Sequence, residues 1–351
     1  MARQSLLACF ILALPLTTGA PTVALARNAP ALVQASAGVA ADPAALEIAE
    51  AIRDGFRQYL FDPELLSQPE FQAIEARMFE AAGKAESVDA FRSSFNGMWL
   101  EGPISHVNAQ VAQAPVEQVV SYLDTMRVGE GARLDWNSDI AVLTVNTMMG
   151  LDTIEQIDAA YAEIAARNPP ALIIDLRANG GGTFAVVPLV QHLLDEPLDA
   201  GAFVARQWAA SEGRAPTVAD ARLVEPWTGW SIRDFWRSVR EDRITRITFS
   251  PQGPHYGGPV YVLISGETAS AAEMAADALK SVERTTLIGE RTAGQMLSQM
   301  PIDLPHGQQF SLPIADYYSF RMGRIEGRGV EPDVAVPAGA AMGEAMARAR
   351  R

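Results

Sequence analysis

The sequence predicts an α/β protein built from parallel β-α-β units and preceded by a small helical subdomain. From about residue 138 onward, apolar strand-like segments alternate with amphipathic helical ones. One of these segments, residues 171–174, is an uninterrupted apolar run, which is typical of a central strand covered on both faces. Between about 43 and 100, apolar residues instead recur at spacings of three and four, which indicates helices.

The first residues resemble an export signal. Arg3 gives a basic start, residues 5–16 form an apolar stretch too short to span a bilayer, and Ala24 and Ala26 offer a small-residue cleavage site. We therefore predict a signal peptide over 1–26 and a periplasmic location. A lipoprotein anchor at Cys9 fits less well, because the apolar stretch lies mostly after that cysteine. A buried N-terminal helix is the other alternative.

Cleavage after Ala26 removes Cys9, which is the only cysteine. The mature chain then has no disulfide, no thiol nucleophile and no cysteine metal ligand. Residues 27–42 are rich in Ala and Pro and predict a flexible leader. The remaining domains are expected at 43–115 (helical subdomain), 116–338 (catalytic core) and 339–351 (tail).

Within the core, 140–145 is predicted as a strand, and Thr153 with Gln156 forms a candidate capping box that would begin the next helix. The following strand, 171–174, completes a right-handed parallel crossover. A further strand at 260–264 leads into an Ala-rich helix at 271–282. The stretch 201–250 carries four of the six tryptophans and is predicted to be an insertion or lid rather than part of the sheet.

Composition limits the function classes. Hydrophobic residues make up 48% and charged residues 20% of the chain, which excludes a disordered or fibrous protein. The formal net charge of −14 argues against nucleic acid or an anionic lipid surface as partner. No apolar run after the signal is long enough to span a membrane, and the oligomeric state is left open.

Two loops at strand ends carry the candidate chemistry. The first, residues 175–182, ends in three consecutive glycines whose amides can approach a ligand closely. It lacks the Gly-Lys-Ser/Thr of a phosphate loop, and alone it would fit a flexible turn equally well. The second, residues 266–273, places Ser270 at a helix N-terminus, where the helix dipole favours negative charge. Ser270 alone would more simply be a helix cap.

Four motifs occur in order: Ile-Ile-Asp-Leu-Arg-Ala-Asn-Gly-Gly-Gly, Thr-Ala-Ser-Ala-Ala-Glu, Gly-Glu-Arg-Thr-Ala-Gly and Glu-Gly-Arg-Gly-Val-Glu-Pro-Asp. Over roughly 135–337 this series resembles the S41 peptidases, which include carboxyl-terminal processing proteases, tricorn protease and interphotoreceptor retinoid-binding proteins. The resemblance implies a crotonase-like (Clp-protease-like) core. It also implies a nucleophile at Ser270 and oxyanion amides from Gly180, Gly181 and Ala271. A peptide or protein substrate would be cleaved without metal or organic cofactor.

The general base is expected to differ from that of the processing proteases. The family resemblance implies that those enzymes use a lysine directly after Thr-x-Gly as the base. Gln295 occupies that position and cannot accept a proton near neutral pH. Lys280 lies ten residues along the nucleophile helix, about 15 Å away at 1.5 Å per residue. Lys84 is predicted on an exposed turn. A Ser–Lys dyad is therefore not expected.

Histidine is the remaining candidate base. Among the four histidines, His306 is predicted in an exposed hairpin turn, His192 on the wet face of a helix and His255 in a loop. Tricorn-like members carry a Ser-His pair where this chain has Ser105 and His106. That resemblance implies His106 as base, Ser105 as its orienter and Glu326 as the final member. Glu331 is an equal alternative for that last place, and Ser105-His106 can also be a capped helix end.

Other motif residues are expected to be structural. Glu273 is predicted to pair with Arg291 or to cap the helix, and Asp175, Arg177 and Asp333 to form ion pairs and turns. Many family members carry a PDZ domain before the core. The segment between Val111 and Ile140 is too short to hold one.

The prediction is an exported serine peptidase with an acyl-enzyme intermediate. Its activity should rise through pH 6–7, where an ordinary histidine loses its proton. A non-catalytic protein that binds peptides or apolar ligands on the same fold is the alternative, since the family lysine is absent. An acyl-CoA enzyme with the same oxyanion pair is disfavoured, because CoA is anionic and cytosolic.

Overall fold

The computed structural model describes residues 41–351. The signal peptide expected over 1–26 and nearly all of the leader expected over 27–42 lie outside these residues. Across 41–351, every helix is too short or too polar to serve as a membrane span.

Three helices open the described chain, as their spacing of apolar residues predicts. They are α1 (Pro43–Tyr59), α2 (Pro69–Ala82) and α3 (Val88–Trp99), with a short 3₁₀ helix at Pro63–Ser67 after α1. Asp42 caps α1 by accepting the amide of Ala44, and Ser87 caps α3 by accepting the amide of Ala90. Each helix buries one apolar face, so the three cannot be stable without a partner layer.

That partner layer is a mainly antiparallel sheet. Its central strand is the long β10 (Gln308–Ser319), and the order along the main path is β1-β10-β5-β6. The other strands are β1 (Asn108–Val111), β5 (Leu198–Val204), β6 (Thr245–Phe249), β9 (Leu297–Leu304) and β11 (Gly323–Arg324). Phe310 of β10 meets two helix side chains edge to face, with ring centroids 5.0 Å from Phe56 and 5.9 Å from Phe95. These contacts join the helices to β10 in one core.

The second sheet is the parallel one that the strand–helix alternation predicts, with strand order β12-β8-β7-β4-β3-β2. Its strands are β2 (Ala132–Asn137), β3 (Ile140–Val145), β4 (Leu172–Asp175), β7 (Val260–Ile264), β8 (Thr285–Gly289) and β12 (Val334–Ala335). Only the pair of β2 and β3 is antiparallel. The observed β3 and β7 have the predicted bounds.

Helices cover both faces of this parallel sheet. Leu172 and Ile174 of β4 point into the main core with α5 (Leu151–Arg167) and α10 (Ala271–Leu279), whereas Ile173 points to the opposite face. There it meets α11 (Ala341–Ala349). The three β4 side chains are fully buried, so the prediction of a central two-sided strand is confirmed.

The structure corrects the expected start of α5. The helix begins at Leu151, directly after Gly150 at φ 92°, and not at a Thr153 cap. The Thr153 hydroxyl donates to the Met149 carbonyl at 2.5 Å, and Gln156 accepts the Ala132 amide at 2.8 Å. Both side chains therefore tie the helix to the preceding chain and do not cap it.

The Trp-rich stretch is also different from the prediction. Both of its ends belong to the antiparallel sheet, as β5 and β6, and only the middle is helical. Those helices are α7 (Arg206–Ser211), α8 (Val218–Ala221) and α9 (Ile232–Glu241). In β5 the last five residues are all buried, so that segment has no period of two. In β6, Thr245, Ile247 and Phe249 are buried and alternate with the partly exposed Arg246 and Thr248, so its period of two was present but spans only five residues.

Two shorter helices complete the fold. They are α4 (Val116–Leu123), which is the only helix between β1 and β2, and α6 (Val186–Gln191). His192 follows α6 and is completely buried, so the expectation of a wet face is wrong. Its ring nitrogens contact the Pro254 carbonyl at 2.7 Å and the Asp158 carboxylate at 2.8 Å. These contacts satisfy both nitrogens inside the protein.

Candidate active site

The two glycine- and serine-bearing loops meet at one edge of the parallel sheet. They follow β4 and β7, which are neighbouring parallel strands, so their carboxyl ends lie side by side. Direct hydrogen bonds fasten one loop to the other. The Thr268 hydroxyl donates to the Leu176 carbonyl at 2.8 Å, and the Ala269 amide donates to the Asn179 carbonyl at 3.0 Å. The nucleophile loop is therefore held directly against the glycine loop.

Ser270 has a strained backbone. It lies at φ 55° and ψ −126°, immediately before α10, in a region that non-glycine residues rarely adopt. Such a conformation costs on the order of 1–3 kcal/mol and persists only where neighbours hold it. Here the Ser270 amide donates to the Gln295 carbonyl at 2.8 Å and to the Glu273 carboxylate at 3.1 Å. The hydroxyl is thus presented at the helix N-terminus, where the helix dipole favours negative charge.

Gly181 lies directly against Ser270. A Cβ at Gly181 would be 2.6 Å from the Ser270 Cβ and 3.1 Å from the Ala271 amide nitrogen, and its φ of 97° also requires glycine. The glycine loop is therefore in close contact with Ser270, the candidate nucleophile.

The three expected oxyanion donors are not equivalent. The Gly181 amide donates to the Asn179 side chain at 2.8 Å, so it is already occupied. Within residues 41–351, the amides of Gly180 and Ala271 donate no hydrogen bond. In the described residues the amides of Gly180 and Ala271 thus have no hydrogen-bond partner, whereas the Gly181 amide is engaged by Asn179.

Asn179 is the residue that sequence reasoning missed in this loop. It is fully buried, and besides holding the Gly181 amide it donates to the Val145 carbonyl at 3.0 Å. An Asn side chain often accepts the amide of the residue two positions later and so forms a local turn. The Asn-x-Gly spacing in the sequence could therefore have indicated this contact.

Glu273 is a buried carboxylate beneath the nucleophile. It accepts the Ser270 amide, the Thr292 hydroxyl (2.5 Å) and the amides of Gly294 (2.7 Å) and Gln295 (2.8 Å). Burial raises the pKa of Glu273 to about 7 in spite of these donors. The expected backbone cap is confirmed, but the alternative of an Arg291 partner is not. Glu273 instead joins the 292–295 loop to Ser270.

Ser105, His106 and Glu326 are brought together. The Glu326 carboxylate accepts the Ser105 amide at 2.9 Å and the Ser105 hydroxyl at 3.0 Å. The Ser105 Oγ lies 2.6 Å from His106 Nδ1. Glu326 is buried, whereas the Glu331 side chain is 69% exposed and 3.9 Å from Arg291. Of the two glutamates expected as alternatives, Glu326 is the one in contact with Ser105.

This arrangement sets the proton positions on His106. A carboxylate only accepts hydrogen bonds, so the single Ser105 hydroxyl proton goes to Glu326. The Ser105 oxygen then accepts from His106 Nδ1–H, which leaves the lone pair on Nε2. Burial lowers the pKa of His106 to about 4, so the ring is neutral at pH 7.

Glu326 also connects this cluster to the nucleophile loop. Its carboxylate accepts the Met296 amide at 2.7 Å, one residue after Gln295, whose carbonyl accepts the Ser270 amide. No hydrogen bond joins His106 to Ser270 within the described residues. The base candidate is therefore linked to Ser270 through Gln295 and Met296, the two residues before β9, and not by a direct hydrogen bond.

The remaining candidate bases are engaged elsewhere. Gln295 is exposed and not basic, and Lys280 binds the Glu331 carbonyl at 2.6 Å and Asp333 at 2.9 Å. His306 lies in the β9–β10 turn, as predicted, and pairs with Glu47 at 2.7 Å. Lys84 pairs with Glu80 on the surface, and His255 contacts Arg284.

The motif residues expected to be structural have structural contacts. Asp175 and Arg177 form a two-pronged ion pair at 2.7 and 2.9 Å, and Arg177 also donates to the Ala338 carbonyl. Asp333 accepts the Leu287 amide at 2.9 Å. These contacts anchor the C-terminal segment to the parallel sheet.

Two solved structures share this fold. A lipoprotein from Streptococcus agalactiae aligns with a TM-score of 0.54 at 17% identity, covering 88% of this chain and 97% of that one. A candidate peptidase from Parabacteroides merdae aligns with a TM-score of 0.57 at 15% identity, covering 87% and 98%. At these identities the likeness concerns the fold alone.

Curated relatives match part of the sequence. A chloroplastic C-terminal processing peptidase from Tetradesmus obliquus is 31% identical over 183 residues, which are 52% of this chain and 32% of that protein. A carboxyl-terminal-processing protease from Picosynechococcus is 30% identical over 166 residues, 47% and 31% of the two chains. The matches thus span about a third of these relatives' length. The family model described as peptidase family S41 matches residues 139–336, more than half of the chain. With the crotonase-like α/β core and the four motifs in register, this chain belongs to peptidase family S41.

Proposed function

We propose that this protein is an exported serine peptidase that cleaves peptide bonds in a peptide or protein substrate. Ser270 is the nucleophile, His106 the general base, and Ser105 and Glu326 hold His106 in its working tautomer. The observation that carries the proposal is the Glu326–Ser105–His106 hydrogen-bond series, which leaves a neutral imidazole with a free Nε2 beside the nucleophile loop.

The reaction would proceed in two halves. The Ser270 oxygen attacks the substrate carbonyl while His106 Nε2 takes the hydroxyl proton. The amides of Ala271 and Gly180 stabilise the oxyanion, and each such donor is worth on the order of 10²–10³ in rate. His106 then protonates the leaving amine as the C–N bond breaks, which leaves the acyl group as an ester on Ser270. A water attacks this ester while the same imidazole takes its proton, and the imidazole returns that proton to the Ser270 oxygen as the carboxylic acid product leaves.

His106 and Ser270 must approach for this chemistry. Catalytic hydrogen bonds are often long or poorly aligned without substrate and tighten in the Michaelis complex. In the proposed mechanism, substrate binding therefore brings His106 Nε2 and the Ser270 hydroxyl into hydrogen-bond contact.

A fluorophosphonate probe tests the proposal, because it labels activated serines without requiring a known substrate. We expect wild type to be labelled, and Ser270→Ala and His106→Ala not to be. His306→Ala is the matched control, since His306 is an exposed turn residue, and it should label normally. A folded wild type that resists labelling, or a His106→Ala variant that labels at the wild-type rate, would overturn the assignment.

The second candidate is a non-catalytic protein that binds peptides or apolar ligands on the same scaffold. Two observations favour it: no hydrogen bond joins His106 to Ser270 in the described residues, and an exposed Gln295 replaces the family lysine. If this candidate is correct, folded wild type will not react with the fluorophosphonate probe. Wild type and Ser270→Ala will then bind peptides with equal affinity.

Export rests on the sequence features of residues 1–26. Fractionation of cells that express the full chain should place the protein in the periplasm, and N-terminal sequencing should find residue 27 first. A cytoplasmic protein that retains Met1 would contradict this part of the proposal.

A further inference from the structure

An aromatic cluster begins directly after the glycine loop. Phe184 is three residues from Gly181, and its ring stacks on Trp227 at 5.4 Å and 19°. The Trp230 ring meets Phe184 edge to face at 6.0 Å. We call Phe184, Trp227 and Trp230 the aromatic shelf. None of these rings has a part in the chemistry described above.

The shelf is within reach of a bound peptide. Successive Cα atoms are 3.8 Å apart, so the Phe184 Cα lies within about 11 Å of the Gly181 Cα, which itself adjoins Ser270. An extended peptide advances about 3.3 Å per residue. A substrate side chain within three positions of the scissile bond can therefore reach the shelf.

Trp230 is the exposed member of the shelf, whereas Phe184 and Trp227 are partly buried against the core. Eight large apolar residues are exposed in residues 41–351, and Trp230 is 51% exposed. Three others of the eight are in adjoining segments: Tyr122, Val128 and Leu151. The Ser231 hydroxyl donates to Asp124 at 2.7 Å, and the Leu151 amide to the Met126 carbonyl at 2.9 Å, which ties these segments to the residue after Trp230. Exposed apolar groups gathered in this way mark a binding surface.

The shelf is also held rigidly. Trp227 packs edge to face on Phe235 of α9 at 5.1 Å. Ser231 caps α9, since its hydroxyl accepts the Asp234 amide at 3.3 Å. The Ile232 amide donates to Asp124 at 2.6 Å. Aromatic surfaces fixed in advance lose little conformational entropy when a ligand binds.

We propose that the aromatic shelf binds a large apolar side chain of the peptide substrate, within three positions of the scissile bond. It would thereby select for aromatic or branched aliphatic residues there. This inference rests on the proposed function for its location, and it names the substrate class of that site. We assign the surface to a substrate side chain, and not to another occupant, because Phe184 of the shelf follows the glycine loop beside Ser270.

The test is cleavage profiling of a mixed peptide library by wild type, Trp230→Ala, Trp230→Phe and Leu223→Ala. Leu223 is the matched control, because it is 85% exposed in the same part of the chain but not in the shelf. Wild type should prefer Phe or Leu over Ala at one position near the cut. Trp230→Ala should reduce that preference by about 10-fold or more, the range for lost pocket contacts, while the other two variants keep it.

Binding of the same peptides to Ser270→Ala, measured by fluorescence anisotropy, separates this inference from the proposed function. If wild type is not labelled by the probe but peptides with apolar side chains bind better, and this preference is lost in Trp230→Ala, the peptidase proposal is refuted and the shelf is supported. Labelling with no apolar preference, or with one that Trp230→Ala leaves intact, would refute the shelf. A sedimentation coefficient that falls in Trp230→Ala would assign the surface to contact between two copies and also overturn the inference.

Discussion

Ser105 and Glu326 lie 221 residues apart in the chain and are joined by two hydrogen bonds, from the Ser105 amide at 2.9 Å and its hydroxyl at 3.0 Å. The pair bridges the end of the N-terminal helical region and the segment after β11. Through the Ser105 hydroxyl, the carboxylate determines which nitrogen of His106 carries the proton. A third donor, the Met296 amide, fixes Glu326 beside the nucleophile loop.

Glu326→Gln should reduce kcat/KM by on the order of 10²-fold or more and lower the free energy of unfolding by about 1–3 kcal/mol. Three donors face this carboxylate, and a glutamine amide would put an NH₂ group against at least one of them. The His106 tautomer would then no longer be enforced. Steady-state hydrolysis of a peptide identified by library profiling measures the effect.

Glu331→Gln is the matched control for Glu326, because Glu331 belongs to the same motif but is exposed. It should retain wild-type kcat/KM. Equal losses in the two variants would show that the Glu326 contact has no special role in positioning His106.

The pH dependence of kcat/KM should have its acid limb near pH 4 and be flat from about pH 5.5 to 8. Burial lowers the pKa of His106 to about 4, so the neutral base is already fully populated above pH 5. This acid limb lies below the rise through pH 6–7 that an ordinary histidine would give. An acid limb near 6.5, measured with substrate well below KM, would mean that the working base is solvated or is another group.

Gly181→Ala should abolish probe labelling. It should also lower the free energy of unfolding by more than the positive φ alone would cost an alanine. The new Cβ would lie 2.6 Å from the Ser270 Cβ, and φ is 97°. Gly129 is the matched control, because its φ of 91° is similar but a Cβ there meets nothing within 4 Å. Gly129→Ala should cost about 1 kcal/mol and keep labelling. Normal labelling of Gly181→Ala would contradict the close approach of the two loops.

Glu273 should make the free energy of unfolding fall as pH rises from about 4.5 to 7. In this range the native carboxyl, with its pKa raised to about 7, keeps a proton that the unfolded chain releases. At about 1.4 kcal/mol per pKa unit the fall amounts to ~3 kcal/mol at most, with no further change above pH 7. Urea unfolding at pH 5 and pH 8 measures it.

The comparison is between wild type and Glu273→Gln, which cannot titrate. The stability of wild type relative to this variant should decrease between the two pH values. Glu267→Gln, an exposed glutamate of the same loop, should parallel wild type. An identical pH response in wild type and Glu273→Gln would show that the buried carboxyl does not titrate as expected.

Lys280→Met should leave probe labelling unchanged. The Lys280 ammonium is held by the Glu331 carbonyl and by Asp333, and losing this partly exposed pair costs at most ~1 kcal/mol. Lost labelling in a folded Lys280→Met variant would reinstate a lysine base and overturn the assignment of His106.

Residue patterns alone identified the features that depend on neighbours in sequence. The strands at 140–145, 171–174 and 260–264 follow from apolar runs, and the loops after the last two follow from Gly-Gly-Gly and Thr-Ala-Ser-Ala-Ala-Glu. Steric limits on glycine and the geometry of a helix N-terminus act within a few residues, so these elements and the position of Ser270 could be predicted. The four motifs in register indicated the family and, through it, the crotonase-like core.

Only the tertiary structure decided which distant groups meet. Glu326 and Glu331 are five residues apart in one motif, and packing alone places Glu326 against Ser105. His192 was predicted on the exposed face of a helix, but it follows α6, and its burial depends on contacts with the distant Pro254 and Asp158. The Gly181 amide is occupied by a side chain whose orientation Val145 determines. Contacts of this kind depend on the packing of the whole chain, and local residue patterns do not contain them.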